Sequence, residues 1–272
     1  MSTLISGHGD KPILEALEPR LLLSGTTVNI ETVPVGNPGN TSDTHGNGYG
    51  SVSYEYNIGK YEVSNAEYCE FLNAVATEGD PHGLYNTEMG GGWNDIGGIS
   101  RSGSGTGGDP WVYTPRANRA NRPVNYVNFW DACRFANWLH SGQGAGDTEN
   151  GAYTLTAGGI ASNTVTRNAD WKWAVTSEDE WYKAAYYRGG GANTGYWDYP
   201  TQSDARPAAQ RPPGTDMVNG SANYLNAVHD LTDVGAANIS GRETFIAAAE
   251  AREIQPTGVT DKPSKLEILG IE

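Results

Sequence analysis

The sequence predicts an α+β domain with a large share of irregular backbone, and three observations carry that reading. Three segments have helical periodicity and a marked N-terminal cap. The runs between them are short and only partly alternating, as brief strands would be. The chain is also rich in rings and in glycine: 8 Trp, 15 Tyr, 4 Phe and 36 Gly among 272 residues, of which only 37% are hydrophobic. That mixture excludes a coiled coil, a helical bundle and a disordered chain. It fits a loop-rich core built on large rings, each of which removes about 150–250 Å² from water when buried.

The first helix is announced by Ser64-Asn65-Ala66-Glu67, a capping box. Ser64 accepts from the amide three residues on, and Glu67 reaches back to the cap amide. Tyr68, Phe71, Leu72 and Val75 follow as its buried stripe, and Gly79 ends it. The second follows Asn128 as cap, with Asp131 in its first turn. Phe129, Ala132, Cys133, Ala136 and Leu139 recur at helical spacing, and Gly142 stops it. The third opens Ser177-Glu178-Asp179-Glu180, again a capping box, with three acids favourably placed at the positive end of the helix dipole. Trp181, Ala184 and Ala185 form its inward face, and Gly189-Gly190-Gly191 terminates it.

Strand signals are weaker. Ser51–Glu62 alternates in part through Val52, Tyr54, Tyr56 and Ile58, and Tyr153–Thr156 with Asn163–Thr166 reads as a hairpin. The stretch from Gly79 to Gly108 is dense in glycine, which is costly to order, so it reads as long surface loops. Every ring except Phe245 falls between Tyr49 and Tyr224. A segment that buries no large apolar group cannot offset its ordering entropy. On that ground residues 1–48 read as a flexible N-terminal arm, 49–240 as the domain, and 241–272 as a divergent helical or disordered tail of Ala, Glu and Arg.

Charge and cysteine usage narrow the function. A net charge of −14 repels phosphate backbones, so nucleic acid is not an expected partner. So acidic a surface suits an extracellular protein or one that binds hard cations. No apolar run reaches the roughly 18 residues that a membrane span needs. Cys69 and Cys133 are too few for a disulfide framework or a four-ligand zinc site, and read as small buried hydrophobes. The five histidines are isolated in sequence. Trp93, Trp111, Tyr113, Tyr196, Trp197 and Tyr199 lie in glycine-rich or polar loops and are the candidate ligand surface, since rings offer large contact area at low entropic cost.

Two resemblances extend this. Leu17 to Ser24, reading Leu-Glu-Pro-Arg-Leu-Leu-Leu-Ser, resembles a sorting-type motif near the N-termini of exported bacterial proteins, notably those of planctomycetes. It implies export to the cell surface or beyond. Tyr61–Tyr68 with Phe71-Leu72-Asn73, then Pro123–Ala132 ending in Asn137-Trp138-Leu139, then Ser177–Trp181 with Ala184-Ala185 and Arg188-Gly189-Gly190, resemble three ordered signatures of the formylglycine-generating enzyme, or sulfatase-modifying factor, family. The resemblance implies a C-type-lectin-like fold.

The departures bear on activity. Ala174-Val175-Thr176-Ser177 stands where the family has Arg-Leu-Pro-Thr. The family's later Gly-Asn and Trp-Glu-Trp block and its closing Arg-Gly-Gly-Ser strands have no match, so the domain reads as C-terminally incomplete. The family's oxidase chemistry implies a C-terminal cysteine pair on copper, and a soft thiolate pair is what Cu(I) demands. No cysteine follows Cys133, so no residue inherits the catalytic role and copper is not expected. Calcium is the expected cation instead. The family's calcium site implies Asn223, the Tyr224 carbonyl and Asp230 as ligands, all hard oxygen donors. The expected function is that of an exported, noncatalytic binding or scaffold module for a protein or carbohydrate ligand outside the cell. The alternative is a formylglycine-generating oxidase acting on exported sulfatases.

Overall fold

A computed structural model describes residues 27–45, 48–92, 95–210, 218–222, 233 and a strand at 268–270. It is α+β, with helices packed beside one four-stranded sheet and two small ribbons. The three capped helices form where their signals stand. In α1 (Asn65–Val75) the Ser64 hydroxyl accepts from Glu67 N–H and the Glu67 carboxylate accepts from Ser64 N–H. In α2 (Phe129–His140) Asn128 and Asp131 exchange the same pair of bonds. Ser177 and Glu180 do so at the start of α4 (Glu178–Tyr186).

The main core lies between α1, α2 and the ribbon β3 (Ile99–Ser102) with β4 (Val112–Pro115). Tyr68, Phe71, Phe135 and Trp138 meet there with ring centroids 5.3–5.8 Å apart, mostly edge-on or tilted as ring quadrupoles favour. Asn137 sits wholly buried among them. Its amide donates to the Thr148 and Tyr153 carbonyls and its oxygen accepts from Tyr153 N–H, so this polar group is satisfied within the layer.

The four-stranded sheet runs β1 (Thr32–Val35), β2 (Tyr56–Gly59), β8 (Ile268–Gly270), β5 (Trp173–Val175), every pairing antiparallel. β6 (Ala208–Ala209) and β7 (Ser221–Ala222) make a short parallel pair.

Three expectations change here. The arm 1–48 is not flexible throughout. Residues 27–45 and 48 are described and packed, with Val28 and Val35 in the core and β1 in full register on β2 from Thr32↔Gly59 to Val35↔Tyr56. Residues 1–26, including Leu17–Ser24, lie outside the described residues. The hairpin over 153–166 is instead a six-residue helix, α3 (Ala157–Ser162), capped by the Thr156 hydroxyl and ended by Asn163 at φ 55°. Only Tyr153↔Arg167 bridge across it. The tail 241–272 is described only at Ile268–Gly270, and those residues form a strand inside the sheet rather than a helix. The rest of the tail, and the segment read as incomplete, lie outside the described residues.

The elements are tied together by Arg167 and Glu180. One guanidinium nitrogen donates to Glu180 Oε1 at 2.7 Å, and the other donates to Glu180 Oε2 and to the Val175 carbonyl. Tyr54 OH also donates to Oε1, and Ser177 N–H to Oε2 at 2.6 Å. Burial alone would raise the Glu180 carboxyl, but these donors outweigh it and hold the pKa below the ordinary 4.5. Removing one member of a buried pair strands the other, at about 3–5 kcal/mol. Arg167→Met is therefore expected to destabilise by that order in urea melts. Because the folded-state pKa is depressed, the pair contributes fully above about pH 4.5 and loses its contribution as pH falls through the folded value. The variant should accordingly lose stability less steeply on acidification than the parent. A parent-like melt would remove this pair from its central place.

Candidate functional site

Among the described residues a half-open cavity of about 230 Å³ is lined by Asp43, His45, Tyr182, Trp197, Asp198 and Tyr199. Two loops and one helix build it.

The first wall is made by the described residues of the stretch 40–50, namely 40–45 and 48–50. Asn40, 1% exposed, is its anchor. The Asn40 amide donates to the Gly50 carbonyl and to the Tyr196 hydroxyl, each at 2.7 Å, and its oxygen accepts from Val52 N–H. The loop closes on itself where Asp43 N–H donates to the Tyr49 carbonyl, and it is clamped to α4 where Gly50 N–H donates to Asp179 at 2.8 Å. Asp43 then lines the cavity with its carboxylate nearly covered. Oδ1 accepts from His45 N–H and faces His45 Nδ1, each at 3.0 Å, and Oδ2 accepts from Tyr182 OH at 2.6 Å. Burial favours the neutral acid, but the His45 amide, the Tyr182 hydroxyl and the His45 ring together hold the Asp43 pKa below the ordinary carboxylate value. Asp43 is thus a fixed anion, while the His45 side chain stands open at the rim, 75% exposed.

The second wall is the turn 196–204. Trp197 N–H donates to the Tyr186 carbonyl at the end of α4, and Tyr199 bridges Ser203. Arg188 fastens this turn. Its guanidinium donates to both Asp204 oxygens at 2.8 and 2.9 Å, reaches the Tyr196 carbonyl, and lies 4.3 Å from the centre of the Trp197 ring. Tyr182 on α4 forms the floor. It stands in a row of tyrosines, 4.7 Å from Tyr186 and 5.5 Å from Tyr196.

The ligand-surface candidates separate accordingly. Trp197 and Tyr199 line the cavity. Tyr196 is buried behind it, packed on Tyr182 and Tyr187, with its hydroxyl held by Asn40, so it supports the wall and presents no surface. Tyr113 is 1% exposed: in β4 it alternates inward beside the exposed Val112, and its hydroxyl donates to the Ala76 carbonyl. Trp111 is half-buried under the Arg101 guanidinium, 3.4 Å from the ring centre, and does not line the cavity. Trp93 lies outside the described residues, as do Asn223, Tyr224 and Asp230. Among the described residues no group of three or more His, Cys, Asp or Glu is placed to hold a metal ion.

Sequence reasoning passed over Asp43, His45, Tyr182 and Asp198. The alternation Trp197-Asp198-Tyr199 is a usable signal for the last. Asp43 and His45 carry only the spacing at which a carboxylate accepts from an amide two residues on, and nothing local ties them to Tyr182.

Cys69 and Cys133 are free thiols buried in α1 and α2. Burial pushes each up to about 12, so neither is a thiolate near neutral pH.

Gly50 shows how tightly the first wall is set. Its φ is +97°, and a Cβ there would lie 2.6 Å from the Tyr196 hydroxyl. Gly50→Ala is expected to cost about 1–3 kcal/mol through this overpacking, and to loosen the loop that carries Asp43. Urea melts and limited proteolysis across 40–50 check both, and unchanged protection of that loop would refute the second.

Residues 33–233 match the family model for a sulfatase-modifying factor enzyme 1-like domain. No curated protein and no solved structure matches the chain significantly.

Proposed function

Because the chain belongs to the sulfatase-modifying factor enzyme 1-like family, we propose that it is an exported, noncatalytic member of that family, with the C-type-lectin-like fold. In this reading it binds a protein or carbohydrate ligand outside the cell through the cavity between the loops 40–50 and 196–204. The state of the two cysteines carries the reading. The family's oxidation needs thiolates that reach copper and substrate, whereas Cys69 and Cys133 are sealed in the helical core with pKa values pushed up to about 12. The cavity, in contrast, offers open rings and fixed charge. The Leu-Glu-Pro-Arg run and the net charge of −14 support a place outside the cell.

Oxygen uptake tests the reading directly. With copper and a cysteine-containing sulfatase peptide, the chain is expected to consume no oxygen above the buffer rate. Peptide-dependent uptake that Cys69→Ser or Cys133→Ser abolished would establish the oxidase instead.

Calcium is the proposed cation, on the Asn223 and Asp230 side chains and the Tyr224 carbonyl, hard oxygen donors of the kind Ca²⁺ takes. Saturating Ca²⁺ should raise the melting temperature, as any ligand of the folded state does, and Asp230→Ala should remove the increment. Identical melts in Ca²⁺ and EDTA would count against calcium.

A further inference from the structure

The geometry points to an alkylammonium group, as borne by a lysine side chain, as what the cavity of Asp43, Tyr182, Trp197, Asp198 and Tyr199 takes. This rests on the binding-module reading and narrows its ligand.

Charge and rings decide the class. Two carboxylates line the cavity, and no Lys or Arg does. Arg188, whose guanidinium lies over the Trp197 ring, is engaged by Asp204 and does not line the cavity. An anion would therefore be repelled by the Asp43 carboxylate, which is fixed in the cavity wall. Three aromatic residues line the same space, and aromatic rings attract cations electrostatically, most strongly for tryptophan. Trp197 already receives one guanidinium at 4.3 Å, so the ring is used this way within the chain itself.

A bare metal ion fits poorly, since rings supply no hard oxygens and the acids here are not grouped as a metal site. A neutral sugar also fits less well. Asp43 already accepts from His45 N–H and the Tyr182 hydroxyl, and meets the His45 ring across the short Nδ1 contact. Few of its lone pairs remain for sugar hydroxyls, while the carboxylate itself stays ionised. A buried anion with occupied lone pairs attracts by field rather than by directional bonding, which suits an ammonium on a flexible stem.

The test is titration of the whole chain with N-acetyl-lysine methylamide, its uncharged norleucine counterpart, tetramethylammonium and methyl glucoside. The readout is the Trp197 indole N–H resonance, assigned by its loss in Trp197→Phe. The lysine amide should shift that resonance saturably, and added salt should weaken the binding as it screens the charges. Tetramethylammonium, a cation with no N–H to donate, should shift it too, as attraction by field and by ring faces requires. Asp198→Asn, which removes one of the two cavity carboxylates, should weaken the lysine amide and flatten the salt dependence of its binding. Trp197→Leu, followed by ligand-observed NMR, should weaken it about two- to fivefold. Equal binding of norleucine amide, or no binding of either cation, would overturn the assignment. Binding of methyl glucoside alone would overturn it while leaving the binding-module reading standing. If no probe binds and peptide-dependent oxygen uptake is found, both fall.

Discussion

Everything around the cavity depends on Glu180. Its two oxygens accept four hydrogen bonds, two from the Arg167 guanidinium, one from Tyr54 and one from Ser177 N–H, which fills the capacity of a carboxylate. One residue thus closes the α4 capping box and fastens three chain segments to that helix. The segment leading from α3 is held through Arg167, the end of β5 through the Val175 carbonyl, and the run before β2 through Tyr54. A buried ion pair of this kind is weak support for net stability, because desolvating two charges costs as much as their attraction returns. Its effect is to fix position. Asp179, Tyr182 and Tyr186 are set by the orientation of α4, and through Gly50, Asp43 and Trp197 they hold both walls of the cavity. The chemistry of the site is therefore several hydrogen bonds removed from the residues that line it.

What was legible in the sequence was whatever is local. The caps at Ser64, Asn128 and Ser177 are four-residue events, and all three form as their spacing requires. The α+β class followed from them. Of the strands, β2 had a signal in the partial alternation of Ser51–Glu62, within which Tyr56–Gly59 forms; the others span only two to four residues, too short to establish one. The stretch from Tyr153 to Thr166 shows the converse: sparse alternation there masks a short helix whose end needs Asn163 in a left-handed conformation, which asparagine tolerates. The start of the domain was misplaced for a different reason. Rings marked its edge at Tyr49, yet the loop before it is ordered by Asn40 and Asp43, buried polar residues whose gain is hydrogen bonding and not apolar area. A boundary drawn on apolar content cannot see such a loop.

The site was half legible for the same reason. Trp197 and Tyr199 stand out in any scan for loop rings, but so do Tyr113 and Tyr196, which fold inward. Only strand alternation in β4 separates Tyr113 from the surface, and only the distant Asn40 separates Tyr196. Asp43 and Tyr182 lie 139 residues apart and meet in one 2.6 Å hydrogen bond. No spacing rule spans that interval; it is a property of the fold.

Family membership and the burial of both cysteines are compatible on physical grounds. The scaffold is held by helix caps, a ring cluster and the Glu180 network, none of which involves a thiolate. Both cysteines serve in it as small apolar groups, and their burial is the environment that suppresses ionisation. A thiol cannot be both sealed core packing and an exposed soft ligand for copper. Loops on such a scaffold are freer to change, because little of the core rests on them. Here they have been tied back by Arg188–Asp204 on one side and Asn40–Tyr196 on the other, leaving between them a small space with fixed negative charge and open rings. A cavity lined by two acids and three aromatic residues, set between walls fixed in this way, is suited to holding a group by charge and by contact.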